Sequence, residues 1–423
     1  LRLRNCRLDP SVQRLFSYRR EVGFCRGLPI LTDLRSVPLP LRRQFIFVFL
    51  LTLTRAIALP YTVIFLARVF ALNVQTIGLL MGSALIVGII ASLSAGQLID
   101  RLGAGRVLVL MVGIFSLGHI LIGIGGPLPW IYFLLIAVNA AYSATSVATR
   151  TALGDFEVDK VEREKLFSIR YTLINVGFGI GPFIGSALAG IGPHTMFLWA
   201  GFTATISSLF LFGQNKPNKI PNSSKDNKIS PWHHMGATVA DRRVIYFTLG
   251  GLFCSLAMRQ FPSYLSQYLL KIKAENIYQI INYVSSTNAL TVILLQYIVT
   301  RRLVSFPIYA RLSAGVFCLG GGIIGFMLAG RIEVWILAMF IFSFGEIIIS
   351  TGEFAAIDRI APEHLRGSYY AVQNLSTLGG GITPVLCGLV LATLPPQGMF
   401  LILLGAVFLA FIFYTIGIRH KSN

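Results

Sequence analysis

Acidic side chains are scarce in this chain. Its 423 residues hold 17 Asp and Glu against 36 Lys and Arg, and charged residues of either sign make up 13%. Soluble globular domains carry about 25%. A chain this poor in charge, 55% hydrophobic and with a mean hydropathy of +0.72, cannot be a soluble globule. It reads as an all-α membrane protein that crosses the bilayer many times. Cysteine is sparse as well. Cys6, Cys25, Cys254, Cys318 and Cys387 are scattered without CxxC spacing, which excludes a metal ribbon or a disulfide framework. His233-His234 lacks a third ligand, so no metal site is expected. The paired Asp clusters of membrane prenyl transferases, the H-E-x-x-H of zinc proteases and the G-x-x-x-x-G-K-[ST] phosphate loop are all missing. Neither enzyme chemistry nor a cofactor is expected, and nucleotide hydrolysis is not the energy source.

What is present in abundance is long apolar runs. Twelve can be counted, at about 44–68, 75–99, 106–125, 129–149, 166–190, 195–213, 244–268, 277–299, 308–329, 334–354, 368–393 and 398–418. Most reach the roughly 20 residues needed to cross a bilayer. Twelve spans put both ends of the chain on one face. Of the 36 Lys and Arg, 30 fall on that face, Arg68, Lys271, Lys273 and Arg331 on the other, and Arg55 and Arg259 inside spans. The positive-inside rule then makes both termini cytoplasmic. The net charge of +19 would suggest nucleic acid in a soluble protein, but here it follows the membrane, so no nucleic-acid partner is expected.

The chain opens with an Arg-rich tail, residues 1–43, beginning with Leu. It is expected to be disordered or to lie on anionic lipid, an over-extended translation start being the alternative. The first apolar run follows about 40 residues of this tail, so no cleavable signal peptide is expected. The polar stretch 214–243, rich in Pro, Asn, Ser and Lys, reads as a cytoplasmic linker. It divides the spans into bundles at 44–213 and 244–418, with 419–423 as the C-terminus.

Between the second and third runs stands GQLIDRLGAGRVL, in which Gly96, Leu98, Asp100, Arg101 and Gly103 form G-x-L-x-D-R-x-G. This resembles the signature loop between spans 2 and 3 of the major facilitator superfamily. Ala104 and Gly105 stand where that family usually has two basic residues, and Arg106 restores the charge. The two halves also resemble each other at a shift of about 200 residues. Arg42-Arg43 answers Arg242-Arg243, Pro60 answers Pro262, Arg101 answers Arg301 with Thr300 in place of Asp100, and Pro182 answers Pro384. Arg150-x4-Asp155-x7-Arg163 answers Glu353-x4-Asp358-x7-Arg366. In span 5, Gly177, Gly181, Pro182 and Gly185 resemble the G-x-x-x-G-P-x-x-G element of antiporters in that superfamily, with ordinary small-residue packing as the plainer reading. Its drug:proton antiporter branch is closest, through LTRAIALP in span 1 and the RGSYY start of span 11, although Val138-Asn139-Ala140 stands where that branch usually has an Arg in span 4. The resemblance implies twelve transmembrane helices in two pseudo-symmetric six-helix bundles. It also implies that Asp100 holds the two bundles together on the cytoplasmic side, near the helix start of span 11.

Charged groups inside a membrane are costly and mark function. Here they are Glu346 and Glu353 in span 10, Arg55 in span 1 and Arg259 in span 7. Glu346 and Glu353 are seven residues apart, hence within roughly 20° of one helix face. They are expected to couple protons, Glu353 more weakly because it lies nearer the cytoplasmic end. Arg55, Arg259, Gln260, Tyr264, Tyr283 and Asn288 are cavity candidates. Arg259 and Glu353 have a plainer reading as side chains snorkelling near a span end. Glu346 has two, a cation-binding role and a fixed pair with Arg55. His119 in span 3 is expected to be a packed, satisfied histidine. The function expected is proton-coupled secondary transport, an antiporter exporting amphipathic organic compounds or drugs, as a monomer in the cell membrane, such as a bacterial inner membrane. Its partners would be a small-molecule substrate, protons and the lipid bilayer. The alternatives are a dedicated carrier for one siderophore, peptide or sugar, and a receptor or scaffold that transports nothing.

Overall fold

The computed structural model describes residues 38–154, 160–211, 238, 240–303, 305–362 and 366–420. The expectations for the tail and for most of the linker lie outside the described residues. Among those described there are fifteen α-helices and no strand. They run α1 (Leu39–Ala58), α2 (Thr62–Phe70), α3 (Val74–Leu102), α4 (Ala104–Ile124), α5 (Leu128–Gly154), α6 (Lys160–Ile191) and α7 (Thr195–Leu209). There follow α8 (Arg242–Met258), α9 (Phe261–Lys271), α10 (Ile277–Leu303), α11 (Ile308–Leu328), α12 (Ile332–Ile360), α13 (Arg366–Asn374), α14 (Leu378–Thr393) and α15 (Gly398–Arg419).

Fifteen helices make twelve spans because three spans are broken. Span 1 is α1 and α2 joined by a 3-10 turn at Leu59–Tyr61, and span 11 is α13 and α14 joined at Leu375–Thr377. Span 7 is α8 and α9, bent by 47°. Proline accounts for two of the breaks, since it has no N–H to donate and its ring clashes with the preceding turn. Pro60 lies in the first turn and Pro262 opens α9, so the repeated prolines break the equivalent spans of the two halves. By length and composition nine spans can cross a membrane, ten with the bent pair. The other two are α7, only 15 residues long, and α10, whose Asn282, Asn288 and Gln296 dilute its hydropathy.

The loop expected at 96–108 is shorter than its polar residues suggested. Helix α3 runs through the charged stretch to Leu102, and the turn into α4 is Gly103 alone, at φ +82°. That conformation suits glycine, which has no Cβ to clash.

The glycine element of span 5 packs against span 1. A Cβ on Gly177 would meet Thr52, one on Gly181 the backbone of Ala56, and one on Gly185 the ring of Tyr61. Tyr61 Oη in turn donates to the carbonyl of Pro182 at 2.8 Å, and Gln267 Nε2 in span 7 donates to that of Pro384 at 3.3 Å. A bent helix tips carbonyls outward, where a neighbour's donor reaches them.

Contacts joining the first six spans to the last six gather at the end away from the termini. Gly78 and Gly82 of α3 lie against Pro384, Val385 and Gly388 of α14, backbone against backbone. Ser266 Oγ donates to Pro60 O at 3.2 Å, Ser286 Oγ to Gly179 O at 2.9 Å, and Asn282 Nδ2 to Ser186 Oγ at 3.3 Å. Arg68 lies over the ring of Tyr278 at 5.1 Å. Toward the face holding the termini, Tyr171 and Arg259 are exposed although they sit within spans. Among the described residues the hydrogen bonds between the halves lie toward the opposite end.

Candidate transport cavity

Span 10 carries both membrane acids on long helix α12, and the two have different surroundings. Glu346 Oε2 accepts from Asn288 Nδ2 of span 8 at 2.7 Å, and the same amide nitrogen lies 3.0 Å from Ser343 Oγ, one turn before Glu346. Tyr264 of span 7 and Tyr171 of span 5 interact with Glu346 electrostatically. The Tyr264 side chain is wholly buried, and its Oη has no hydrogen-bond partner among the described residues. Gln260 occupies the bend of span 7, with its backbone at φ −126°, and Tyr283 packs edge-on against Phe183 of span 5.

Glu353 is held inside the second half. Tyr414 Oη of span 12 donates to its Oε1, Gln373 Nε2 of span 11 to its Oε2 at 3.2 Å, and Thr248 Oγ1 of span 7 to Gln373 Oε1 at 3.3 Å. A side chain with both oxygens bonded to neighbouring helices is not snorkelling. Arg259 Nε donates to Ser255 Oγ at 3.2 Å, one turn back along span 7, and its stem covers Gly380, where a Cβ would come within 2.8 Å. It interacts electrostatically with Glu353 and Glu346, yet neither acid forms an ion pair within 4 Å among the described residues.

Arg55 is not Glu346's partner. Both its terminal nitrogens lie 3.4 Å from Asn139 Oδ1, and its guanidinium sits 4.0 Å over the ring of Tyr142, so it is bound to span 4. Asn139 donates its own amide to Leu135 O at 2.9 Å, which turns Oδ1 toward the arginine. His119 bonds the Phe115 carbonyl through Nδ1 at 2.8 Å and packs in the same small cavity, a satisfied histidine as expected.

The structure thus brings Glu346, Asn288, Tyr264 and Arg259 together, and sets Arg55 and Glu353 each inside its own half. In the signature loop, Arg101 and Arg106 are exposed and Gly103 makes the turn, while the side chains of Gly96 and Asp100 lie outside the described residues. Tyr142, Gln373 and Tyr414 were missed because a single polar group in an apolar run carries no signal of its partner. A second missed cluster sits on the face of the termini. Asp241 caps α8, accepts from Arg243 Nε at 3.0 Å and Nη2 at 2.9 Å, and accepts from Tyr369 Oη of span 11 at 2.9 Å. Partial burial works against its carboxylate, but the bonds from Arg243 and Tyr369 prevail and hold it below the ordinary carboxylate range.

Twelve spans in two halves, with the equivalent first and seventh spans broken at proline, are the architecture of a membrane-transporter fold. Residues 44–382 match the family model described as Major Facilitator Superfamily, and the chain belongs to that family. It is 32% identical over 375 residues to the uncharacterized MFS-type transporter YdeE of Escherichia coli K12, covering 88% of this chain and 94% of that one. It is 22% identical to a Na(+), Li(+), K(+)/H(+) antiporter of Planococcus maritimus, over 77% of this chain and 83% of that one. The crystal structure of the nucleoside transporter NupG superposes with a TM-score of 0.75 at 15% identity, covering 91% of this chain and all of that one, which is a likeness of fold. The family consists of transporters, in keeping with the missing enzyme motifs.

Proposed function

We propose that the chain is a proton-coupled antiporter that exports amphipathic organic compounds by alternating access, as a monomer in the cell membrane with both termini cytoplasmic. One observation carries this reading. Glu346 is a carboxylate at mid-membrane whose hydrogen-bond partner is a neutral amide, and Arg259 forms no ion pair with it among the described residues. A carboxylate fixed in a salt bridge could not exchange its proton without breaking the pair. Glu346 can lose or gain one as Arg259 approaches or withdraws, and such a change ties proton occupancy to conformation.

On this reading the space between the halves is open on the face of the termini, the cytoplasmic side. Substrate enters there while the glycine-packed end is shut. The Planococcus relative, an antiporter exchanging alkali cations for protons, supports proton exchange as the coupling chemistry. Signature-loop Asp100 would act in the opposite state, when the cytoplasmic end closes.

Proteoliposomes test the reading. An imposed pH gradient should drive the accumulation of an amphipathic compound by the wild type and not by the Glu346→Gln protein. Accumulation that ignores the gradient in the wild type would refute proton coupling.

A further inference from the structure

The end away from the termini, where the halves meet, is sealed by good packing and poor hydrogen bonding. Nine buried side-chain nitrogens and oxygens lack a hydrogen-bond partner among the described residues, and five of them lie on two short segments. Ser263 Oγ, Tyr264 Oη and Gln267 Oε1 are on α9, and Asn282 Oδ1 and Ser285 Oγ are on α10. All five residues are buried. The other four, Gln44, Arg170, Thr300 and Arg311, lie nearer the face of the termini.

The same two segments join the halves. Ser266 Oγ reaches Pro60 O at 3.2 Å, but its one proton is shared with Pro262 O of its own helix, at 2.7 Å. Asn282 Nδ2 donates to Ser186 Oγ at 3.3 Å, and Ser286 Oγ to Gly179 O at 2.9 Å. Gln267 Nε2 donates to Pro384 O at 3.3 Å, the carbonyl that a Cβ on Gly78 of the first half would overlap. These bonds fix how the amides face. With both nitrogens held by acceptors, the two amide oxygens are turned away from them, and exchanging the two atoms of Gln267 would set oxygen against oxygen. A buried hydroxyl or amide oxygen without a partner has given up its water for nothing, which destabilises the state that buries it.

We propose that Ser263, Tyr264, Gln267, Asn282 and Ser285 line the outward-facing vestibule and preload it to open: burying their unpaired atoms destabilises the closed end, and hydration relieves this when the halves part. The proposal rests on the alternating-access reading and names residues that set the balance between its two states. Glycine packing and the seam's hydrogen bonds hold the end shut, and the five unpaired atoms oppose them. The lining they form is two amide oxygens and three hydroxyls, without a charge among them.

The test measures how often this end opens. In full-length protein with its native cysteines replaced, Ser286→Cys places a thiol on the buried seam, in sealed vesicles with the face away from the termini outward. A membrane-impermeant methanethiosulfonate added outside reacts only when that end opens, so the labelling rate follows the open fraction. Ser263→Ala, Tyr264→Phe and Ser285→Ala each delete one unpaired hydroxyl, and each should slow labelling about fivefold or more. Misfolding would speed labelling, so a slower rate cannot come from it. Unchanged rates in all three variants would overturn the proposal. So would faster rates, which would mean that the hydroxyls hold enclosed water and tie the end shut. An equal slowing in Ser207→Ala, which deletes a hydroxyl bonded to Ala204 O in span 6, would overturn it too, as would no labelling of the Ser286→Cys parent. Slowed labelling in a protein that shows no proton-driven accumulation leaves the vestibule standing and defeats only the coupling. Proton-driven accumulation with unchanged rates does the reverse.

Discussion

Asn288 Nδ2 donates to Glu346 Oε2 at 2.7 Å, so an amide and not a cation is the fixed partner of the deepest acid in the membrane. Neutralising Glu346 therefore breaks no ion pair, and a glutamine can keep the contact. Glu346→Gln is expected to fold normally and to exchange substrate down its own gradient, while losing accumulation driven by protons. Counterflow and gradient-driven uptake measured on one preparation separate the two. Full proton-driven accumulation by the variant would remove Glu346 from the coupling role.

Glu353 should behave differently, since it joins spans 7, 10, 11 and 12 through Tyr414, Gln373 and Thr248. Glu353→Leu strands a buried hydroxyl and a buried amide, at about 1–3 kcal/mol each. Its melting temperature in detergent should drop well below that of Glu353→Gln, and transport by Glu353→Gln should exceed that by Glu346→Gln. Equal melting temperatures for the Leu and Gln variants would show that the network contributes nothing to stability.

The seam between α3 and α14 has no room for a side chain. A Cβ on Gly78 would overlap the carbonyl of Pro384, a backbone atom that cannot rotate aside. Gly78→Val should disfavour the closed outer end by about 1–3 kcal/mol, the usual cost of overpacking. Spin labels beside Arg68 and Lys271 would report longer distances in the variant. Unchanged distances would mean that the seam does not hold this end shut.

Asp241 has a low folded-state pKa, so the sign of its pH dependence is fixed. Its contribution is complete above the ordinary carboxylate value of about 3.9 and is lost as pH falls below that value through the folded one. The wild type should lose stability relative to Asp241→Asn across that acidic window. At neutral pH Asp241→Asn should be the less stable of the two, because Arg243 and Tyr369 lose a charged acceptor. Parallel melting curves at all pH values would contradict this.

Asp100→Asn should raise the fraction of molecules open toward the termini and slow transport without unfolding. Equivalent substitution of Thr300, which has no charge to lose, should do much less. Label distances across the face of the termini that stay constant in Asp100→Asn would count against the switch role.

Much of the fold was legible because it is written in simple currencies. Apolar runs gave the spans, and Pro60, Pro262, Pro182 and Pro384 the repeat and two of its bends. The loop at 96–108 was misread in extent, because charge was taken for loop when α3 carries Arg101 on a helix that ends only at Gly103. The acids and bases of the membrane were found by their rarity. Their partners were not: nothing in the sequence relates Arg55 to Asn139 across 84 residues, or Glu353 to Tyr414 across 61. Tertiary packing alone decides such pairs.

The glycine seam also has an electrical meaning. In the proposed inward-open state, water would carry the potential of the termini's face as far as exposed Arg259, and the membrane voltage would fall across the septum formed around Gly78, Gly82 and Gly388 rather than over the whole bilayer. A unit charge crossing this septum does the full electrical work, about 2.3 kcal/mol per 100 mV, over a few helical turns. If the halves alternate as proposed and the septum moves to the other end, Glu346 and Arg259 change sides of the field while moving little themselves. Voltage should therefore act on the rocking step, and a transient current should accompany it even when no substrate crosses.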